Sequence, residues 1–90
     1  NMEDMLIDYG LSSDRATRLG KMMVSYNKIK NKRALNIREK DVFTKELTGM
    51  SFNKASSVLV DEGYDALIEK ASEVNRADPE AIKELLNEVM

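Results

Sequence analysis

Apolar residues recur at helical spacing along almost the whole chain, and each run is short because a glycine or a capping residue closes it. Met2, Met5, Leu6 and Tyr9 follow i, i+3, i+4 and i+7, with Gly10 as a left-handed stop behind them. Ser12 or Ser13 can cap a second helix. Its apolar arc holds Ala16, Leu19, Met22, Met23, Tyr26 and Ile29, while Arg18, Lys21, Lys28 and Lys32 fall roughly opposite. Lys30 lies inside that arc, so the helix is expected to end near Ile29 or Lys30. Asn31 to Ile37 has no helical period and reads as a loop or a very short extended piece. Asn36 with Glu39 forms a capping-box pattern, and Val42, Phe43 and Leu47 ahead of Gly49 predict a third helix of about ten residues. Ser51 can cap a fourth, carrying Phe52, Ala55, Val58 and Leu59; beyond Gly63 the period resumes with Tyr64, Leu67, Ile68, Ala71 and Val74. A glycine inside a helix costs about 1 kcal/mol relative to alanine, so Gly63 predicts a break or bend. Asp78-Pro79-Glu80 opens a final amphipathic helix, 79–89, with Ile82, Leu85, Leu86 and Val89 on its apolar face.

Ninety residues supply one core, because chains divide only above about 250 residues. The expected architecture is all-α: a single-domain bundle of five or six short helices over residues 1–90, around a core rich in Met and Leu. Asn1, standing before Met2, is expected to be a remnant of expression cloning. A domain of this size buries only about 60% of its unfolded surface, so modest stability is expected and pairing with a second copy would help. Cysteine is absent, which excludes disulfides and thiolate metal sites and suits a reducing compartment; a cytoplasmic location is expected. No apolar run approaches the roughly 20 residues that cross a bilayer, so no membrane association is expected.

Charge is segregated along this helical chain. Residues 15–40 hold nine Lys or Arg against the single acid Glu39, a local charge of +8. The first fourteen residues carry −4 and residues 41–90 carry −6, so the near-neutral total of −2 conceals a strong asymmetry. A concentrated basic stretch is the electrostatic footprint of a phosphate-binding surface.

The chemical inventory argues against catalysis. With neither His nor Cys, an enzyme would depend on carboxylates, Lys, Tyr, Ser or a metal, and none stands in a catalytic spacing here. The four glycines are far apart, which leaves no phosphate-cradling loop and no expected nucleotide cofactor. Asp61, Asp65 and Glu69 would align at i, i+4 and i+8 only if a helix ran through Gly63, and they fall opposite Tyr64, Leu67 and Ile68. They are read as a solvated face, and no metal is expected. Met5, Met22 and Met23 share arcs with Leu6, Leu19 and Tyr26 and are read as core.

Leu35-Asn36-Ile37-Arg38, followed by a short helix and then Gly49-Met50-Ser51-Phe52-Asn53 with a longer one, resembles the ribbon-helix-helix DNA-binding family over less than half of the chain. The resemblance implies a dimer whose ribbon enters the major groove through Asn36 and Arg38. Only ten residues separate Arg38 from Gly49, whereas the family's first helix and its lead-in need about fifteen, or roughly one helical turn more.

These features predict a non-enzymatic accessory or regulatory protein that contacts the phosphates of double-stranded DNA through residues 15–40, with Arg18, Lys21, Lys28, Lys32, Arg33 and Arg38 as the contacts. Small size and the missing catalytic inventory would suit a phage or plasmid protein. The alternative is a protein-interaction or adaptor module, a homodimer among its forms. There the helix 79–89 packs on a partner through Ile82, Leu85, Leu86 and Val89, and the basic segment is solvated or meets an acidic protein.

Overall fold

Local capping chemistry determines where four of the helices begin. The computed structural model describes residues 2–89, less the side chain of Val89. It contains helices α1 (Met2–Asp8), α2 (Ser13–Lys30), α3 (Ile37–Thr48), α4 (Phe52–Glu62), α5 (Tyr64–Asn75) and α6 (Pro79–Val89) and, among the described residues, no strand. The expectation for Asn1 lies outside the described residues, as does that for the Val89 side chain.

Ser12 accepts the Arg15 N–H at 3.2 Å to start α2. The capping box at α3 is complete: Asn36 Oδ1 accepts the Glu39 N–H at 2.9 Å, and Glu39 Oε1 accepts the Asn36 N–H at 3.0 Å. Ser51 accepts the Lys54 N–H at 3.1 Å and opens α4. Gly49 ends α3 at φ +76°, a left-handed conformation that a side chain would strain. Gly63, at φ +97° and ψ 167°, terminates α4 so that α5 starts afresh at Tyr64. The break follows from backbone that leaves the helical region altogether, and it separates Asp61 on α4 from Asp65 and Glu69 on α5.

Two expectations need correction here. No ribbon forms at residues 33–38: Asn36 is a helix cap, Ile37 is already the first residue of α3, and the helix runs to twelve residues. The reciprocal bonds between Asn36 and Glu39 satisfy two backbone donors locally, and helical backbone takes over from Ile37 onward. The apolar residues assigned to a partner, Ile82, Leu85 and Leu86, are 0–1% exposed and belong to the protein's own core. They join Leu6, Leu19, Met23, Leu47 and Leu67, from α1, α2, α3 and α5, in one continuous cluster. In contrast, Val42 and Val74, read as inward-facing, are 56% and 55% exposed.

The bundle is a single flattened all-α domain. Its Cα extents are 32 × 30 × 16 Å, and its radius of gyration of 12.4 Å is close to the value of about 12 Å for a compact chain of this length. α3 contacts α2, α4, α5 and α6, while α2 lies at one edge between α1 and α3. The Asp78 N–H donates to the Tyr9 carbonyl at 2.9 Å, joining the end of α1 to the start of α6. No helix among the described residues is long and apolar enough to cross a membrane.

The core contains one side-chain polar atom without a partner among the described residues, Thr44 Oγ1, in a residue that is 0% exposed. Thr44→Val keeps the shape and removes the unpaired hydroxyl. It should raise stability by about 1 kcal/mol, read as a melting temperature several degrees higher. A melting temperature at or below that of the wild type would show that the hydroxyl is satisfied.

Candidate nucleic-acid interface

The register of α2 against α3 determines which cations reach the surface together. Arg15 Nη1 donates to Glu46 Oε1 at 2.8 Å, and the Tyr26 and Phe43 rings meet edge-on at 5.4 Å. Beyond the end of α2, the Arg33 guanidinium grips both Glu39 oxygens at 2.7 and 2.8 Å. The two helices therefore run antiparallel, with Glu39, Phe43 and Glu46 of α3 facing α2. On the other edge of α3, Asp41 Oδ1 accepts the Phe52 N–H at 2.8 Å and faces α4. At 100° per residue the arc left open on α3 carries Arg38, Val42 and Lys45, all exposed. The open arc of α2 adjoins it and carries Arg18, Lys21, Ser25, Lys28 and, through the turn beyond the helix end, Lys32.

Two carboxylates lie along this seam, and both are engaged. Glu46 Oε1 holds Arg15 and, at 2.6 Å, Arg18 Nε. Arg15 also donates through Nε to Asn75 Oδ1 at 2.9 Å and through Nη2 to the Glu46 carbonyl. Asn75 in turn donates to the Leu47 and Ala71 carbonyls, so this network clamps α2, α3 and α5. Arg33 is likewise committed to Glu39. Its hydrogen bonds, with the Asn36 N–H, hold the Glu39 carboxyl down at about 2, and the pairing raises the Arg33 pKa.

Glu39 should therefore contribute to acid stability. Its folded pKa is depressed, so its contribution is complete above the ordinary value of 4.5 and is lost as pH falls towards about 2. Arg33→Ala should flatten the decline in melting temperature over that interval. An unchanged pH profile would show that the pair contributes nothing to stability.

Of the six residues expected to contact phosphate, Lys21, Lys28, Lys32 and Arg38 have no carboxylate partner among the described residues. Arg18 is shared with Glu46 although its side chain is 71% exposed, and Arg33 is neutralised by Glu39. Lys45 lies outside the basic window of the sequence, yet it belongs to the same face; its position seven residues after Arg38 on α3 is the signal that locates it. Lys30 and Lys40 place their ammonium groups 5.5 Å from the centre of the buried Tyr26 ring and 5.6 Å from that of the half-buried Phe52 ring, in cation–π contacts. No group of three His, Cys, Asp or Glu residues that could hold a metal occurs among the described residues. No family pattern, curated protein or solved structure matches this chain.

Proposed function

We propose that the protein binds duplex DNA through the joined outer face of α2 and α3, as a non-enzymatic accessory or regulatory factor. One observation carries this reading: Lys21, Lys28, Lys32, Arg38 and Lys45 share that face without a carboxylate partner among the described residues, while both seam carboxylates are engaged. From Arg18 to Lys32 the stripe is about 21 Å long at 1.5 Å per residue, enough to follow about six steps of a duplex backbone. A duplex fits better than unpaired bases, because the aromatic rings next to this face are unavailable for stacking. Tyr26 and Phe43 are buried against each other, and the Tyr26 hydroxyl donates to the Glu88 carbonyl.

The test is fluorescence anisotropy of a labelled random duplex of about 25 base pairs, titrated with protein from about 50 mM to about 200 mM salt. Micromolar binding that weakens steeply with salt supports the reading. Absence of binding at the lowest salt would overturn it and transfer the basic face to an acidic protein partner.

A further inference from the structure

The corner between α2 and α3 has a property that phosphate contact does not require. Residues 31–34 and 36–38 are exposed, and Ile37, at the start of α3, has 71% of its surface open to solvent. A branched apolar side chain held out from a small domain is solvated at a cost that no packing within the bundle offsets. The corner is also stiff. Glu39 binds the Arg33 guanidinium and the Asn36 N–H, and the Lys32 and Arg33 N–H groups both donate to the Ile29 carbonyl, at 2.9 and 3.0 Å. Arg38 follows Ile37 directly, and Lys32 stands five residues before it. A rigid, cationic corner with a protruding apolar side chain is complementary to a polyanion that displays apolar groups between its phosphates. The major groove of duplex DNA fits this description, since each A·T pair presents a thymine methyl group there. A corner held in place beforehand loses little conformational freedom on binding.

We propose that residues 31–38 enter the major groove, with Ile37 against thymine 5-methyl groups and Arg38 donating to base-edge acceptors, while Lys21, Lys28 and Lys45 hold phosphates beside the groove. This inference rests on the duplex-binding reading above. It makes the corner the source of sequence preference and the rest of the face a source of affinity alone.

The experiment selects bound duplexes from a random pool. It then compares the selected duplex with a copy in which deoxyuridine replaces thymidine, a change that removes only the methyl groups. Wild-type protein should enrich a motif containing thymine and bind the deoxyuridine copy about fourfold more weakly per contacted methyl, from about 0.8 kcal/mol per group. Ile37→Ser should bind both duplexes equally, and Lys28→Ala should weaken both by the same factor. The comparison on wild-type protein needs no variant, so equal binding of the two duplexes overturns the proposal by itself. A deoxyuridine penalty that persists in Ile37→Ser, with its melting curve unchanged, also overturns it. Duplex binding without any enriched motif removes this inference and leaves the binding reading intact, whereas no duplex binding removes both.

Discussion

Replacing Lys21, Lys28 and Lys32 together by Glu should lower duplex affinity more than a hundredfold at low salt while leaving the melting temperature within a few degrees of wild type. All three side chains are exposed and lack a carboxylate partner among the described residues, so their loss removes no packing. Reversal replaces three attractions by three repulsions on one face. The salt dependence gives the same effect a scale. Four phosphate contacts, by Lys21, Lys28, Lys32 and Lys45, imply a slope of log affinity against log salt near −3.6, or about a 150-fold loss between about 50 and about 200 mM. Arg33→Ala is the internal control. Its charge is already balanced by Glu39, so the slope should stay within about half a unit of wild type. If the triple variant binds as wild type does, the α2–α3 face is not the contact surface. If Arg33→Ala flattens the slope by about one unit, Arg33 leaves Glu39 to contact phosphate in the complex.

Leu86→Ala should destabilise the protein by about 3 kcal/mol, and Leu86→Asp should leave it unfolded at room temperature. Leu86 is 1% exposed within the main core cluster, beside Ile82 and Leu85 at 0%. Truncating a fully buried leucine costs about 2 to 5 kcal/mol through lost transfer energy and the cavity left behind. A domain of this size has a total stability of only about 5 to 10 kcal/mol. A buried unpaired carboxylate exceeds that margin more readily than the void left by three missing carbons. Thermal melting followed by circular dichroism should place Leu86→Ala more than about 10 °C below wild type. An unchanged melting temperature would return α6 to the surface and revive a partner-binding role for its apolar face.

The elements whose signals are complete within one helical turn were legible in the chain. Asn36 with Glu39, Ser51 and Asp78-Pro79 each satisfy backbone donors two or three residues away, so the starts of α3, α4 and α6 needed no knowledge of neighbours. Gly63 marked the break between α4 and α5 for the same local reason. The basic stripe of α2 was equally readable, because one helix turns its residues to a common side by periodicity alone.

What escaped reading depended on groups distant in sequence. The apolar face of α6 looks the same on a helical wheel whether it covers a partner or the protein's own core. Packing against α5 and α3 made it core. Arg15 and Arg18 reach Glu46 only because α2 lies antiparallel to α3, and Lys45 joins the cationic face for the same reason. The ribbon that the ribbon-helix-helix resemblance implied at Leu35 to Arg38 is absent, and the cap read from Asn36 and Glu39 stands in its place, since a helix turn closes its own hydrogen bonds and a strand must find them elsewhere. The residues alone thus settled the all-α class, most helix starts and the excess of positive charge. The antiparallel pairing of α2 and α3 decided which of those charges are neutralised and which remain open to solvent, because ion pairing depends on distances that only packing sets.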